Sequence, residues 1–435
     1  MHCSHLSLVN FRNYARLELD LPPGVSVFVG ENAQGKSNLL EALYILATTK
    51  SFRAGADREL INWRVLGTDL AYARLTARVD RHAGPVRLEA LLREEPRREE
   101  PRREESRAQG GNGTPNGSQT VVAKRLKLND VPRRAIDVIG AVNVVMFSPQ
   151  DIELVDGPPM LRRRYLDITI SQVDHRYVRT LADYNRVLLQ RNSLLRQIKE
   201  HRARPDQLFP WDHEMVTAGA YVIQQREATI ARLADLAQEY HRQLTGRQEV
   251  LQIDYRPTFP LPGARPTAEA IAESFKAQLR AVQPREVAAG ISMLGPHRDD
   301  LAFVVDDHPM GSFGSRGQQR TVALALKLAE AEFLRAQTGD PPMLLLDDVL
   351  SELDAARRRH VLGTVAPGQQ VVLTGTDLAS FEPEFLAEAK VYNVKAGTIE
   401  PHGELQGRGE LQESSGVTPG EPRAAGEARL PQHGR

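Results

Sequence analysis

The sequence predicts an α/β fold whose mixed sheet is interrupted by an inserted lobe of long helices. Three observations support this class. Short apolar segments bounded by helix patterns occur at residues 25–29, 343–346 and 371–373, as expected for parallel strands buried on both faces. A glycine-rich loop at residues 30–37 follows the first of these segments. Helical periodicity occupies most of the region between residues 158 and 284.

The N-terminal region, residues 1–155, is predicted to form the first part of an α/β head. Its apolar run at residues 25–29 enters the glycine loop, which precedes a helix pattern over residues 36–47. Apolar and polar residues alternate in four other segments, which predicts an antiparallel sheet with one solvated face. These segments are 6–9, 17–19, 86–90 and 126–128.

Two segments lack the apolar residues that ordered structure requires. Residues 93–119 contain a near-duplicate of the run EEPRREE and then a stretch rich in Gly, Asn, Ser and Thr. The tail at 406–435 is rich in Gly, Glu, Arg and Pro. Such compositions cannot bury enough surface to order themselves. We therefore expect a disordered loop insertion and a disordered tail, and the acids that balance the arginines of the insertion argue against a nucleic-acid patch.

Residues 156–284 are predicted to form a coiled-coil-like helical arm. Apolar residues recur at four-and-three spacing in two stretches separated by Pro205 and Pro210. Two antiparallel helices of about 25 to 35 residues would give an arm about 40 to 50 Å long at 1.5 Å per residue. Two ordinary core helices would show the same periodicity, so that alternative stays open.

The α/β pattern returns over residues 285–405, the second part of the head. A strand is predicted at 301–305, and a helix pattern then extends to about residue 336. The strands at 343–346 and 371–373 follow. The helical lobe is therefore predicted to be inserted into a single α/β head.

The composition indicates a globular chain without a strong overall electric field. Of the 435 residues, 56 are Lys or Arg and 56 are Asp or Glu, so a polyanion would have to be met by a local patch. The single cysteine, Cys3, cannot form an internal disulfide, and neither a leader segment nor a run of about 20 apolar residues is present. These features predict a cytoplasmic protein without a membrane partner.

The loop GENAQGKS at residues 30–37 has the complete pattern of a phosphate-binding loop. Its glycines let backbone amides point at phosphates, Lys36 reaches the β- and γ-oxygens, and the Ser37 hydroxyl suits Mg²⁺. The alternative is a plain glycine turn before a helix. The nucleotide-binding residues predicted here are Gly30, Glu31, Asn32, Ala33, Gln34, Gly35, Lys36, Ser37 and Asn38.

Two carboxylates end the apolar strand at residues 343–346. Asp347 is placed to hold magnesium, usually through water, and Asp348 to orient the attacking water or accept its proton. A pair of acids could instead cap the next helix. Because the same chain carries a complete phosphate loop, we favour the catalytic interpretation, with Lys36 and Asp348 as catalytic residues.

A second phosphate-binding pattern, SFGSRGQQR at residues 312–320, combines a Ser-x-Gly-Gln core with a basic tail before a helix pattern. The order of phosphate loop, lobe, this signature, acid strand and the SELD at residues 351–354 resembles the ABC-type ATPases. That resemblance implies an ABC-type head that binds ATP and Mg²⁺ and closes head-to-tail into an ATP-dependent homodimer. The residues implied to contact the partner's ATP are Ser315, Gly317, Gln318 and Asp354.

Six motifs narrow the resemblance over about residues 2–400. They are NFRNY at 10–14, GKSNLLEA at 35–42, RRRYLD at 162–167, QRN at 190–192, GPHRDDL at 295–301 and RGQQRT at 316–321. Together they resemble the RecF family of bacterial recombination mediators, which is related to the SMC proteins. The resemblance implies a cytoplasmic, nucleoid-associated, DNA-dependent and slow ATPase that binds double-stranded DNA and single/double-strand junctions. It further implies that the protein acts with RecO and RecR in recombinase loading at gaps or stalled forks and in the SOS response.

Three positions qualify this resemblance. Gln150 stands where ABC-type heads place a glutamine that touches magnesium and reports on the γ-phosphate, which implies a catalytic and metal-contacting role; a plain loop residue is the alternative. The histidine that many ABC ATPases carry after the next strand is absent from residues 372–377. Asp348 replaces the more usual glutamate, and its shorter side chain fits slow turnover.

Two basic segments are candidates for contact with DNA. Arg162, Arg163 and Arg164 form the densest basic run near the predicted arm, and Lys50 and Arg53 follow the first helix. Such side chains neutralise phosphates without reading bases. A solvated helix face is the alternative for each segment.

Two other functions would use the same head motifs. In the ATPase subunit of a membrane transporter the lobe is normally short, whereas the lobe here is long and the strand-end histidine is missing. An ATP-gated structural clamp on DNA, in which hydrolysis is incidental, differs from the repair ATPase by degree.

Overall fold

The computed structural model describes residues 1–69, 71–96, 120–246, 248–366, 368–378 and 381–403. The predicted disordered tail at 406–435 and residues 97–119 of the predicted insertion lie outside the described residues. The strands are β1 (His2–Phe11), β2 (Tyr14–Asp20), β3 (Val25–Val29), β4 (Tyr72–Asp80), β5 (Val86–Pro96), β6 (Thr120–Leu128), β7 (Val131–Arg133), β8 (Val144–Phe147), β9 (Leu251–Arg256), β10 (Asp300–Val305), β11 (His308–Pro309), β12 (Met343–Asp347), β13 (Val371–Gly375), β14 (Lys390–Lys395) and β15 (Thr398–Pro401). The helices are α1 (Lys36–Thr48), α2 (Ala135–Val138), α3 (Glu153–Asp156), α4 (Pro159–Ser171), α5 (His175–Lys199), α6 (Phe209–Leu244), α7 (Ala268–Ala289), α8 (Met310–Phe313), α9 (Arg316–Thr338), α10 (Ala355–Gly363) and α11 (Pro383–Glu388).

A mixed sheet forms the centre of the head, which confirms the predicted fold class. Its strand order is β15-β14-β3-β13-β12-β8, and neighbouring strands are parallel except for the pair β14 and β15. The three strands predicted from short apolar runs, β3, β12 and β13, lie next to one another and are almost entirely buried. Parallel pairing places their carboxyl ends at one edge of the sheet.

The predicted antiparallel sheet is also present, in the order β2-β1-β4-β5-β6-β7. Its inner residues, such as Leu8 and Leu75, pack in one core with Leu39 and Leu43 of α1. The expectation of disorder was wrong for residues 93–96, which extend β5 and pair with β6. The reason is that a hairpin ladder is held by backbone hydrogen bonds, which do not require apolar side chains.

Two long helices occupy the predicted lobe, with lengths close to the prediction. α5 has 25 residues and α6 has 36. Val216, in the first half of α6, packs with Phe275 of α7 in a separate core. Ile230 and Leu233, further along α6, join the core that contains residues of β12 and β13. α6 therefore contributes to two cores, and the coiled-coil-like arm stays a prediction.

The third long helix of the lobe, α7, was not predicted. It runs through Pro284 to Ala289, and β10 follows it. The predicted lobe is also not helical throughout, because β9 lies within residues 156–284 and pairs with β10. Proline removes the hydrogen bond to the carbonyl of Arg280. Pro284 and Arg280 are both exposed, so water can satisfy that carbonyl.

A small sheet in the order β11-β10-β9 leads into α8 and α9. α9 ends at Thr338, two residues beyond the predicted end, where Gly339 adopts a left-handed conformation with φ of 74°. α6 packs along α9. Among the helices of the described ranges, none has the length and apolar character of a membrane span.

Candidate nucleotide site

The glycine loop joins the buried strand β3 to helix α1. A Cβ atom at Gly30 would lie 2.3 Å from the carbonyl oxygen of Val394. Gly35 has φ of 121°, and a Cβ atom there would lie 2.7 Å from the Asn13 amide nitrogen. Only glycine fits either position. The loop can therefore lie tightly against its neighbours while α1 begins directly after it, an arrangement that binds phosphate through backbone amides and a helix start.

Lys36 is 6% exposed and folds back over its own loop. Its ammonium donates hydrogen bonds to the carbonyl oxygens of Gly30 at 2.5 Å and Glu31 at 2.8 Å. Burial lowers the pKa of Lys36, while the charges of Asp348 and Asp347 oppose this effect. The neutral carbonyl partners can be exchanged for anionic phosphate oxygens, which accept stronger hydrogen bonds.

Ser37 and Asp347, the pair predicted to hold magnesium, meet at the carboxyl edge of the parallel sheet. The Ser37 hydroxyl donates to Oδ1 of Asp347 at 2.7 Å across 310 positions of sequence. The hydroxyl of Thr374 donates to the same oxygen at 2.9 Å, because β12 and β13 pair with Asp347 opposite Thr374. Thr374 was missed by the sequence prediction, although it ends an apolar strand as Asp347 does.

Asp348 follows in the left-handed region, with φ of 54° and ψ of 18°, which an aspartate tolerates better than most residues. Its backbone N–H donates to the Thr374 hydroxyl at 3.1 Å. Its Oδ1 is buried and has no hydrogen-bond partner among the described residues. Such an orphaned oxygen is costly unless a ligand or water satisfies it. Asp348 lies next to Asp347 at the carboxyl edge of the sheet, and its role towards the attacking water stays a prediction.

Gln150 is exposed on a short 3-10 turn, Pro149–Ile152, that directly follows β8. Because β8 pairs in parallel with β12, this turn lies at the same edge of the sheet as Asp347. Gln150 lines a cavity of about 440 Å³ together with Ser37 and Asp347. This shared cavity favours the predicted contact over a plain loop residue.

The residues at this edge fit a nucleoside triphosphate with magnesium. The glycine loop and Lys36 offer donors to phosphate oxygens, and Ser37 and Asp347 offer the hard oxygen ligands that magnesium prefers. In the described ranges, no cluster of three or more His, Cys, Asp or Glu residues could hold a metal ion alone. Phosphate oxygens and water would thus have to complete the octahedron.

The predicted signature lies exposed at the start of α9. Ser315 is the N-cap: its hydroxyl accepts from the Gln318 backbone N–H at 3.3 Å, and the Gln318 side-chain oxygen accepts from the Ser315 N–H at 3.1 Å. Ser315 and Gly317 are exposed. Within the part of the chain that the structure describes, no hydrogen bond or ion pair joins residues 315–318 to the loop at 30–37. The signature is thus available at the surface.

Asp354, the residue predicted to contact a partner's nucleotide, caps α10. Its carboxylate accepts from the Arg357 backbone N–H at 2.8 Å and from the Arg357 guanidinium at 2.6 Å. These contacts lower the pKa of Asp354, and the hydrogen bond from the Arg357 backbone N–H has the largest effect. The side chain is exposed, so its role in a dimer stays a prediction.

The prediction that Arg162 contacts DNA is corrected, because its side chain is buried and its guanidinium is hydrogen-bonded within the protein. It is 8% exposed, and its guanidinium forms a bidentate pair with Asp300 at 2.6 and 3.0 Å. It also donates to the Gly157 carbonyl at 2.7 Å. The partner carboxylate lies 138 positions away, beyond what a local charge run reveals. Arg163 donates to the Asp299 carbonyl at 2.8 Å but is only half-buried, so its DNA contact stays a prediction.

Lys50, Arg53 and Arg164 are exposed next to the nucleotide site. Arg53 pairs with buried Glu41 at 3.1 Å, and 37% of its side chain is exposed. Arg164 donates to the Ser51 carbonyl at 2.5 Å. Lys50 and Arg164 line a cleft of about 720 Å³, and Arg164 and Arg53 both line the cavity that contains Ser37 and Asp347. Their contact with DNA stays a prediction that this grouping supports.

The hairpin motif NFRNY at residues 10–14 braces the nucleotide site, a role that the sequence did not reveal. Arg12 donates two hydrogen bonds of 2.9 Å to Glu41 of α1. The Asn13 amide donates to the Gln34 carbonyl in the glycine loop at 2.8 Å. The motif therefore holds both the loop and the helix that follows it.

His297, in the motif at residues 295–301, has a structural role. Its Nε2 lies 3.3 Å from the Ser292 carbonyl oxygen, which can only accept, so Nε2 carries the proton and Nδ1 accepts from the Tyr184 hydroxyl at 2.6 Å. Burial lowers the pKa of His297 to about 4. The ring is therefore neutral at pH 7, and both of its nitrogens are used internally.

Several proteins are similar to this chain. The family model described as the RecF/RecN/SMC N terminal domain matches residues 2–392. A Chloroflexus aurantiacus protein named DNA replication and repair protein RecF is 46% identical over 407 residues, which cover 92% of this chain and 99% of that protein. A Microcystis aeruginosa protein of the same name is 38% identical, with 92% and 100% covered.

Two solved structures have the same arrangement of elements. One, described as the recombination mediator protein RecF-ATPrS in the RecFOR pathway, matches with a TM-score of 0.77 and 29% identity over 92% of this chain and 98% of that chain. The other, described as RecF-ATP in the same pathway, has a TM-score of 0.77 and 30% identity over 92% and 97%. The similarity includes both the α/β elements and the helical lobe.

Proposed function

This chain belongs to the RecF family, within the wider group of RecF, RecN and SMC N-terminal domains, and from that premise we propose that it is an ATP-dependent DNA replication and repair protein. It acts in recombinational repair and in the SOS response. The similar proteins are named for DNA replication and repair, and the similar structures for ATP and the RecFOR pathway. These names favour the repair function over a transporter subunit.

The nucleotide site supports ATP hydrolysis by the chain's own residues. When bound, ATP and magnesium supply a γ-phosphoryl group whose charge is partly neutralised. Lys36 would hold the β- and γ-oxygens, and Ser37 and Asp347 would hold the metal ion; Gln150 lines the same cavity as Ser37 and Asp347. Asp348, which follows Asp347 at the same edge of the sheet, would orient the attacking water or accept its proton. The short side chain of Asp348 makes ATP hydrolysis slow, and DNA stimulates the hydrolysis.

The main observation that supports a dimer mechanism is that the phosphate loop at residues 30–37 and the signature residues 315–318 do not contact each other through a hydrogen bond or ion pair in the described structure. The loop at 30–37 is closed around Lys36, whereas Ser315 and Gly317 are exposed on α9 and are not bonded to that loop. A second copy of the chain, placed head-to-tail, brings each signature to the other protomer's ATP. ATP thereby closes a homodimer around double-stranded DNA, and the exposed basic side chains Lys50 and Arg164 contact its phosphates.

The partners follow from the same family membership. We infer that the ATP-bound dimer works with RecO and RecR to load recombinase at single/double-strand junctions in gaps or stalled forks. Because its DNA target is the bacterial chromosome, the protein acts in the cytoplasm at the nucleoid.

Ser315→Arg tests the dimer. We expect the variant to lose ATP-dependent dimerisation, because the larger side chain fills the space in which the partner's phosphate binds. ATP binding to the monomer, which depends on Lys36, should be unchanged. Sedimentation velocity with ATP and duplex DNA, together with ATP titration, measures both quantities. Gln197→Arg, which adds the same charge to an exposed position of α5, should behave as the parent does. Normal dimerisation of Ser315→Arg would contradict the mechanism.

Asp348→Asn tests hydrolysis. The variant should bind ATP as the parent does and hydrolyse it about 10²-fold more slowly, the usual loss when a general base is removed. Asp183→Asn, at an exposed position, is the control and should keep the parental rate. Parental rates in both Asp348→Asn and Asp348→Glu would show that Asp348 is not the base. Release of duplex DNA by Asp348→Asn at the parental rate would favour the ATP-gated clamp.

A further inference from the structure

Glu249 links the end of α6 to the signature. It lies between α6 and β9, and its Oε1 accepts a hydrogen bond from Nε2 of Gln318 at 3.0 Å. The Oε1 of Gln318 in turn accepts from the Ser315 N–H at 3.1 Å. The Gln318 amide is therefore bonded at both of its ends, once to the helix cap and once to Glu249.

The second oxygen of Glu249 faces the buried end of α6. Its Oε2 lies 3.5 Å from Nε2 of His241, a residue with 0% exposure. Neither Oε2 nor the ring nitrogens of His241 have a hydrogen-bond partner among the described residues. Burial lowers the pKa of His241, although the Glu249 charge opposes the shift. Among the described residues, the Gln318 amide is thus the only hydrogen-bond donor to the Glu249 carboxylate.

The chemistry of these groups gives Glu249 control over the orientation of Gln318. A primary amide can turn over and exchange its oxygen and its NH₂ group. In the reversed orientation the Ser315 N–H would face the NH₂ group instead of an acceptor, and this half of the cap would be lost, although the Ser315 hydroxyl would still accept from the Gln318 backbone N–H. An ionised carboxylate only accepts hydrogen bonds, so Glu249 selects the orientation in which the NH₂ group points towards it and the oxygen points to Ser315.

We propose that Glu249 is a positioning residue for the signature: it fixes the Gln318 amide, and through it the Ser315 end of α9 that faces the ATP of a second protomer. The inference rests on the proposed function, because without an ATP-dependent dimer the signature has no ligand. Since Glu249 lies between α6 and β9 and contacts His241 near the end of α6, the contact also ties the signature to the helical lobe.

The test compares dimerisation with ATP binding in the full chain. Glu249→Ala should weaken ATP-dependent dimerisation about tenfold for each signature site, the loss expected for one hydrogen bond to a charged group. ATP affinity of the monomer should stay at the parental value, and Tm should fall by only a few degrees, because the bond also contributes to the folded monomer. Glu249→Gln keeps a carbonyl acceptor but adds an NH₂ group that can also turn towards Gln318, so it should restore the dimerisation only in part. The control is Glu239→Ala, because Glu239 is exposed on α6 and bonds only its neighbours Arg242 and Gln243 in the described structure.

The contact predicts coupling between the two side chains. In a Gln318→Ala background, Glu249→Ala should have no further effect on dimerisation, because the bond is already absent. Additive losses in the double variant would overturn the inference. A fall in Tm and in ATP affinity together would also overturn it, because that pattern indicates a contact that serves only folding.

Ser315→Arg in the same assay separates this inference from the proposed function. If Ser315→Arg dimerises normally, the dimer mechanism itself fails. If Ser315→Arg is monomeric while Glu249→Ala dimerises as the parent does, the positioning role is wrong and the proposed function stands.

Discussion

Lys36→Ala is expected to bind ATP about 10²- to 10⁴-fold more weakly than the parent, the largest functional effect that the structure predicts. Two hydrogen bonds from an ammonium to phosphate oxygens contribute about 1.5–3 kcal/mol each, and 1.4 kcal/mol is tenfold in affinity. Lys36 is suited to make them, because it is 6% exposed and now donates to two carbonyls of the loop that would hold the phosphates. Dimerisation with ATP should be lost as well.

Isothermal titration with ATP measures the loss directly, and a thermal unfolding curve shows whether the variant is folded. Lys276→Ala removes the same charge at an exposed position of α7 and should bind ATP as the parent does. A folded Lys36→Ala variant with parental ATP affinity would show that the glycine loop does not hold the phosphates.

Arg191→Ala is expected to lower the free energy of unfolding by about 3–5 kcal/mol, the usual cost of removing one partner of a buried ion pair. Arg191, in the QRN motif, has 0% side-chain exposure and lies between α5, α6 and α7. Its guanidinium donates to Asp212 at 2.7 Å, to Glu286 at 2.7 Å and to Ser292 at 2.8 Å. Glu286 also has 0% side-chain exposure, so the variant leaves its charge buried without that partner.

Denaturant titration measures this effect, with Arg186→Ala as the matched control. Arg186 also lies on α5, but its pair with Asp183 is exposed on both sides, so its removal should cost about 1 kcal/mol or less. The double variant Arg191→Met/Glu286→Met should be more stable than Arg191→Met alone, because no unpaired charge is left at position 286. Equal stability of Arg191→Ala and Arg186→Ala would mean that the buried cluster does not hold the lobe together.

The sequence was most informative where a structure depends on neighbouring residues. The loop at 30–37 and the carboxylates after β12 were predicted because their spacing and the flanking apolar strand define them locally. The same holds for α5 and α6, whose apolar periodicity covers several turns. α7 was missed because proline usually ends a helix, whereas Pro284 and Arg280 are exposed and water replaces the lost bond.

Charge runs were the weakest evidence, because sequence does not show which partners they meet. Arg162 and Arg164 are two positions apart, yet one is buried against Asp300 and the other is exposed beside Ser51. An α-helix turns successive side chains by about 100°, so neighbouring arginines face different surroundings. Only one of the two remains a candidate for DNA contact.

The amino-acid sequence alone was enough to identify the fold class, the phosphate loop and the family resemblance, since each depends on residue types at short, defined spacings. The assembly of the site required the folded chain. Thr374 meets Asp347 only because β12 and β13 pair in parallel register, and Glu249 meets Gln318 only because the segment between α6 and β9 lies beside the start of α9. Such contacts join residues far apart in the chain, and the packing of strands and helices, rather than local spacing, decides which of them form.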